Sequence, residues 1–162
     1  MDQSEPDGLQ GFCDADWTLQ EHCHPTSGYV FMIDGRAMSW SLKKQGIIAL
    51  STTKAEYISL THTAKEALWI WAFLAEIVRP LHHPTTLFCD NQSAIAITKN
   101  DQYHACTKHI DIRHHFICDH TDCRVISVEY CPMAKNTANI FTKALPAPRL
   151  EGLTSMMGLH SA

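Results

Sequence analysis

The chain has 162 residues, of which 45% are hydrophobic and 19% charged, and its formal net charge is −4. This length predicts one domain with a full hydrophobic core, and the composition is that of a soluble globular protein. No apolar run approaches the roughly 18 residues of a membrane span, and the acidic, polar start is not a signal peptide. The negative charge excludes a protein that holds nucleic acid through a broad basic face, so any such contact must be local or metal-assisted.

The cysteine and histidine content predicts an intracellular protein, cytoplasmic or nuclear. Seven cysteines without a secretory signal indicate reduced thiols. Eleven histidines raise the question of zinc. The nearest cluster, Cys118, His120 and Cys123, has a spacing that fits no common structural zinc site. A Cys/His metal-binding interaction domain is therefore the weakest of the interpretations considered.

The first predicted strand, Gly11–Trp17, carries two carboxylates, Asp14 and Asp16. Because strand side chains alternate between faces, both acids point one way and the apolar residues the other. Two interpretations are open: an edge strand with one solvated face, or a metal site whose cation offsets the paired carboxylates. Residues 1–10 are predicted to be a disordered leader.

Two further strands, Ser27–Ile33 and Arg36–Lys43, are joined by the hairpin signal Asp34-Gly35. Three antiparallel strands in a meander are therefore expected. Met38 and Trp40 share one face of the third strand. By its residue type Trp40 is interpreted as a core residue.

A long helix is predicted to begin after the capping residues Ser51-Thr52-Thr53 and to end at Pro80. Its apolar residues recur at spacings of three and four, which is typical of a helix packed on a core. They are Tyr57, Leu60, Ala64, Ala67, Trp71, Leu74 and Val78. Glu56 is placed in the first turn, half buried at the margin of this stripe. It either complements the helix dipole or serves as a ligand.

The second half of the chain alternates strands and helices. The predicted elements are a strand at Thr85–Cys89, helices at Asn91–Lys99 and Lys108–His120, a strand at Val125–Tyr130 and a short helix at Asn136–Lys143. Asp90 is either a plain N-cap or a residue displayed at the carboxyl end of a strand, where open α/β sheets commonly place ligands. Residues 146–162 form a tail with no evident role.

The acids Asp14, Glu56 and Asp90 fall on the first strand, the first helix and the end of the fourth strand. Only tertiary folding can bring them together, and a buried trio of carboxylates is stable only around cations. Oxygen ligands suit Mg²⁺ or Mn²⁺ better than zinc. The element order predicts an α/β fold with a mixed five-stranded sheet and helices on both faces.

Short segments spread in order over Gly11–Leu145 match a known family. They are Asp14–Trp17, Thr26–Val30, Ser39–Ser41, Lys43–Gln45, Ala49–Ser51, Ala55–Tyr57, Cys89–Ala94, Thr107–Arg113 and Ala138–Lys143. On these residues the sequence resembles the RNase H domain of copia-type LTR retrotransposon Pol polyproteins. The resemblance implies a ribonuclease H-like fold over residues 11–145 and endonucleolytic cutting of the RNA strand of RNA–DNA hybrids.

The resemblance also implies a site for two Mg²⁺ ions, with Mn²⁺ as a substitute, that serves an in-line displacement at phosphorus. Carried over residue by residue, Asp14 bridges the ions, and Glu56 and Asp90 are further ligands. Asp16 lies behind them, or replaces Asp14 if the register is shifted. The family's last acid falls where this chain has Asn139. Because an amide oxygen brings no charge, one ion is expected to bind more weakly and catalysis to be impaired.

The resemblance implies an RNA–DNA hybrid as substrate and the reverse transcriptase domain of the same polyprotein as partner, in a virus-like particle or the nucleus, without a small-molecule cofactor. The candidate hybrid contacts are Lys43, Lys44, Trp40, Asn91 and Arg113. The two lysines equally fit a solvated strand end. Asn139 leaves one alternative open: a catalytically degenerate remnant that keeps the fold, either as a nucleic-acid-binding module or as a relic.

Overall fold

The structure, a computed structural model, describes residues 8–17, 24–49, 51–77, 81–99 and 111–159. Its strands are β1 (Gln10–Asp16), β2 (Thr26–Ile33), β3 (Arg36–Lys44), β4 (Thr85–Cys89) and β5 (Ile126–Tyr130). Its helices are α1 (Thr52–Ile77), α2 (Gln92–Lys99), α3 (Asp111–Asp122), α4 (Asn139–Thr142) and α5 (Ala147–Met156). A 3₁₀ turn at Met133–Lys135 precedes α4. The start predicted for the third helix, at Lys108, lies outside the described residues.

The five strands form one mixed sheet in the order β3-β2-β1-β4-β5. β1 pairs antiparallel with β2 and parallel with β4, while β3 pairs antiparallel with β2 and β5 parallel with β4. β1, β3, β4 and β5 therefore finish at the same end of the sheet, which we call the carboxyl edge. The predicted mixed five-stranded sheet is confirmed, with β1 at its centre.

The hairpin between β2 and β3 turns as the sequence predicts. Asp34 and Gly35 both have positive φ, at 49° and 71°. Two consecutive left-handed residues make the kind of turn whose twist matches that of the flanking strands. The hairpin fixes the direction of β3, so that Lys43 and Lys44 reach the carboxyl edge.

Helices cover both faces of the sheet, as predicted. On one face α1, α2 and α3 bury a large core that includes Cys13, Leu60 and Leu87. On the other face a smaller cluster includes Phe12 and Ala138, the residue before α4. None of the described helices is long and apolar enough to cross a membrane.

The apolar stripe of α1 packs on the sheet largely as expected. The helix buries five of the seven predicted residues, namely Tyr57, Leu60, Ala64, Ala67 and Leu74. Trp71 is only partly buried, and Ile70 beside it is buried in its place. Val78 and Pro80 lie outside the described residues.

Both ends of the described chain join the core, which the sequence did not indicate. Leu9, within the predicted leader, is 3% exposed. The predicted tail forms α5, where Leu153 is 2% exposed, and Met157 just after it packs in the smaller cluster. The carbonyl of Met157 accepts a hydrogen bond from the Ala37 amide at 3.1 Å. Residues 147–157 thus form a helix and a following residue that pack on the sheet, where the sequence predicted a tail.

Candidate metal centre at the carboxyl edge

Asp14 is fully buried in the central strand, so the interpretation of an edge strand with a solvated face is wrong. Its cross-strand partner on β2 is Gly28. A Cβ at Gly28 would lie 2.8 Å from Cγ2 of Thr142 and 3.2 Å from Cβ of Phe141. The absence of a side chain at Gly28 thus lets α4 approach the Asp14 carboxylate closely.

The end of α4 supplies partners for both oxygens of the Asp14 carboxylate. Lys143 Nζ donates a hydrogen bond to Oδ1 at 3.0 Å, as part of a salt bridge. The Thr142 hydroxyl donates to Oδ2. Burial raises the pKa of Asp14, whereas Thr142 and Lys143 act in the opposite direction. The carboxylate is therefore held in place before any metal binds.

Asn139 lies beside this ion pair and is fully buried. Its Oδ1 accepts a second hydrogen bond from Lys143 Nζ at 2.8 Å. Its Nδ2 donates to the carbonyl of Met133 at 2.8 Å. The two bonds fix which end of the amide faces the site. Lys143 therefore joins Asp14 and Asn139, two of the four residues that the resemblance assigns to metal binding.

Glu56 is 6% exposed, more deeply buried than the sequence predicts. Ser51 caps α1 through its hydroxyl, which accepts from the Lys54 amide at 3.1 Å. Glu56 follows the first turn, which holds no acidic residue, so its predicted placement there is wrong. Burial, followed by the charge of Asp14, raises its pKa to about 10. Its Oε2 has no hydrogen-bond partner among the described residues.

Asp90 lies directly after β4 and is not the N-cap of α2. Asn91 takes that role, because its Oδ1 accepts from the Ala94 amide at 2.9 Å. Asp90 Oδ2 is buried, and within the described part of the chain nothing donates a hydrogen bond to it. The carboxylate is therefore displayed at the carboxyl edge, the second of the two predicted alternatives.

The carboxylates of Glu56 and Asp90 meet at this edge. One oxygen of each and the sulfur of Cys89 lie within 4.8 Å of one another. Each carboxylate also has a buried oxygen without a hydrogen-bond partner among the described residues, and a shared cation would offset this, since uncompensated buried charges are costly. Because a thiol suits Mg²⁺ poorly, the carboxylates are the ligands that fit a hard ion.

Asp16 and the predicted Cys/His cluster do not join the ligands at Glu56 within the described residues. Asp16 ends β1 and is partly exposed on the same face as Asp14, but it is not part of the ligand cluster at Glu56. Cys118, His120 and Cys123 do not form a ligand cluster within the described ranges.

Sequence reasoning missed three residues that shape the site: Thr142, Lys143 and Cys89. Lys143 follows Asn139 by four residues, the spacing at which helical side chains meet. That spacing was a usable signal for the contact between them. Nothing local indicates the bond from Lys143 to Asp14, which spans 129 residues.

The predicted hybrid contacts Lys43 and Lys44 lie at the carboxyl edge but point to opposite faces of β3. Lys43 lines an open groove of about 430 Å³ between the sheet and α1, together with His62, Lys65 and Trp69. Burial, and then the positive charges of Lys65, Arg113 and Lys43, lower the pKa of His62. The groove is therefore lined by two lysines, Lys43 and Lys65, together with the acidic Glu66.

Trp40 and Asn91 have surroundings that the sequence left undecided. Trp40 is 61% exposed, so its interpretation as a core residue is wrong. It lines an apolar groove of about 320 Å³ with Phe141 and Met157. The side-chain oxygen of Asn91 is engaged as the cap of α2, which leaves its amide nitrogen for other contacts.

Two plant retrotransposon polyproteins are similar to the chain over nearly its whole length. The retrovirus-related Pol polyprotein from transposon TNT 1-94 of Nicotiana tabacum is 41% identical over 155 residues, 94% of this chain. That from transposon RE2 of Arabidopsis thaliana is 31% identical over 93% of the chain. The chain spans only 12% and 10% of these two polyproteins. No family model matches the chain.

Solved structures, two of them of RNase H proteins, share the fold at low sequence identity. The N-terminal RNase H domain of a Mycobacterium tuberculosis protein superposes with a TM-score of 0.61 and 12% identity, covering 91% of this chain and 96% of that one. LC11-RNase H1 in complex with an RNA/DNA hybrid gives 0.60 and 14%, covering 82% and 92%. A foamy viral protease-reverse transcriptase in complex with dsDNA gives 0.57 and 14%, covering 85% and 90%.

Proposed function

We propose, from the premise that this chain belongs to the RNase H domains of copia-type retrotransposon Pol polyproteins, that it is a metal-dependent endonuclease acting on the RNA strand of RNA–DNA hybrids. One observation carries the proposal. Glu56 and Asp90 each place a carboxylate oxygen within 4.8 Å of the other at the carboxyl edge, and each has a buried oxygen that lacks a hydrogen-bond partner among the described residues. Burying these two carboxylates costs free energy when no cation is present, so the site is suited to bind a cation.

The residues present fit a divalent ion such as Mg²⁺ or Mn²⁺. Glu56 and Asp90 would hold it, and the charge of Asp14 lies close enough to affect the pKa of Glu56. When bound, the ion supplies charge stabilisation to an in-line displacement at the scissile phosphate. Thr142 orients the Asp14 carboxylate through its hydrogen bond to Oδ2.

Positive residues at the same edge support a hybrid substrate. Lys43 and Lys44 end β3 at the carboxyl edge, two strands away from β1. Arg113 lies close enough to Tyr57 and His62 for its charge to affect both pKa values. These residues would bind phosphates locally, as the net charge of −4 requires. Trp40, exposed on the face that also carries Asp14, would contact a sugar or base.

The similar polyproteins suggest the larger protein in which this activity would take place. Because they are Pol polyproteins far longer than this chain, we infer that it acts with the reverse transcriptase part of the same polyprotein, inside the cell. A second function is favoured by Asn139. If its missing charge abolishes the reaction, the chain is a degenerate RNase H-fold module that binds nucleic acid.

A cleavage assay on a labelled hybrid in Mg²⁺ and in Mn²⁺ tests the proposal. Asp14→Asn is expected to lower the cleavage rate at least about a hundredfold, because it removes a charge beside the ion. The matched control is Asp34→Asn in the exposed hairpin, which should cleave like the native chain. Absence of cleavage by folded native protein, with cleavage appearing in Asn139→Asp, would establish the degenerate module instead.

A further inference from the structure

The two halves of the acidic site differ in what neutralises them. In one half, Glu56 Oε2 and Asp90 Oδ2 are buried and, within the described residues, lack any hydrogen-bond partner. In the other half, Asp14 and Asn139 share the ammonium of Lys143. One half therefore lacks a cation, and the other already contains one.

The position of Lys143 Nζ is that of an ion between two oxygen ligands. It lies 3.0 Å from Asp14 Oδ1 and 2.8 Å from Asn139 Oδ1, while the lysine side chain itself is 29% exposed. The Asp14 side chain is fully buried, so its charge has little access to water. Removing a partner from a buried charge is strongly unfavourable, which holds the ammonium in place.

The asparagine accounts for the balance of charge in this half. Asn139 contributes an oxygen but no charge, so the single charge of Asp14 is matched by the single charge of Lys143. The Asn139 amide is locked by its bond to the Met133 carbonyl, which keeps Oδ1 on the ammonium. A divalent ion binding here would have to displace the ammonium and remain close to it, at a Coulomb cost.

We propose that Lys143 is the built-in cation of the Asp14–Asn139 half, so that this chain binds one divalent ion instead of two. The ion occupies the Glu56–Asp90 half. This inference rests on the proposed function, since it assumes that the acidic site binds metal. It assigns Lys143 a positioning role: its ammonium holds Asp14 and excludes the second ion.

Counting Mn²⁺ ions on the full chain, without nucleic acid, tests the inference. Isothermal titration and electron paramagnetic resonance of bound Mn²⁺ should give one ion for the native chain and for Lys143→Arg. The double variant Asn139→Asp with Lys143→Met should bind two. Lys143→Met alone should bind the first ion about tenfold more tightly, because a nearby positive charge is removed. The control is Lys99→Met at the exposed end of α2, which should match the native chain.

The number of bound Mn²⁺ ions distinguishes one-ion binding, two-ion binding and no binding. Two ions on the native chain, or one ion on the double variant, would overturn the role of Lys143 and leave the proposed function standing. No ion on folded native chain would overturn the proposed function together with this inference. Melting curves in EDTA establish that each variant is folded, and Lys143→Gln replaces Lys143→Met if the latter is not.

Discussion

Asn139 makes two hydrogen bonds that an aspartate could not both make. Its Nδ2 donates to the Met133 carbonyl at 2.8 Å, and its Oδ1 accepts from Lys143 at 2.8 Å. An ionised aspartate has no donor for the carbonyl, and it would place a second oxygen against it. The buried surroundings of Asn139 are thus complementary to an amide. The asparagine therefore does more than remove one negative charge from the site.

Asn139→Asp is therefore expected to destabilise the metal-free chain by about 1–3 kcal/mol, because a buried, ionised carboxylate oxygen would replace the Nδ2 donor that faces the Met133 carbonyl. Urea denaturation in EDTA measures it. Gln92→Glu, the same chemical change at an exposed position, is the control and should change stability by less than about 0.5 kcal/mol. Equal stability of native and Asn139→Asp chains would contradict the assigned hydrogen bonds.

The raised pKa of Glu56 makes the stability of the metal-free chain depend on pH. Burial raises its pKa from 4.5 to about 10. Between these values the folded chain keeps a proton that the unfolded chain releases, so the folded state binds more protons. The proton on Glu56 therefore stabilises the folded chain fully below about pH 4.5. This stabilisation is lost as the pH rises toward 10.

The free energy of unfolding in EDTA is thus expected to fall by a few kcal/mol between about pH 5 and pH 9, because one proton is linked to folding. Chemical denaturation across this range measures it. Glu56→Gln should flatten the profile, whereas Glu76→Gln, at an exposed position of α1, should leave the slope unchanged. A profile that Glu56→Gln does not alter would refute the buried, protonated side chain.

At the scale of elements, the docking of α4 on the sheet depends on one glycine. Gly28 faces Asp14 across β1 and β2, and α4 fills the space where a side chain would stand. The helix was predicted over residues 136–143 but begins at Asn139. Asn136 instead forms part of the preceding turn, where its side chain donates to the Cys13 carbonyl at 2.9 Å and accepts from the Ala138 amide.

Gly28→Ala should push α4 away from β2, because the new Cβ would lie 2.8 Å from Thr142 Cγ2. We expect a loss of about 1–3 kcal/mol in stability, typical of overpacking, with a weaker Asp14–Lys143 contact. Denaturation curves measure the first effect and a crystal structure the second. Gly46→Ala is the control, since a Cβ there meets nothing within 4 Å. An undisturbed Gly28→Ala chain would contradict the close approach.

At the scale of the whole molecule, α5 completes the face opposite α1. Its Leu153 is 2% exposed, whereas Leu150 on the same helix is 40% exposed. We therefore infer that the folded domain extends past residue 145, the boundary that the resemblance implied. The prolines that suggested a tail stand instead at the start of this helix, where proline is well tolerated.

Leu153→Ala is expected to destabilise the chain by about 2–5 kcal/mol, as large-to-small changes in cores do. Leu150→Ala is the matched control and should cost less than about 1 kcal/mol, because that side chain is largely exposed. Thermal or urea denaturation of the full chain distinguishes them. Similar, small effects of both changes would show that α5 is not part of the core.

The sequence by itself determined much of the local structure. Alternation placed Asp14 and Asp16 on one face of β1, Asp34-Gly35 defined the hairpin, and the spacing of Leu60 and Ala64 identified the buried side of α1. These features depend on neighbours within a few residues, which a pattern records. The element order added the mixed sheet as an expectation, and the ordered match of short motifs added the roles of the acids.

Only the tertiary structure decided what surrounds those residues. It placed β1 at the centre of the sheet, exposed Trp40, gave the cap of α2 to Asn91 and brought Lys143 to Asp14 across 129 residues of chain. Burial and ion pairing depend on residues that are distant in sequence, so no local pattern specifies them. The charge of Lys143 became part of the acidic site because α4 docks over Gly28.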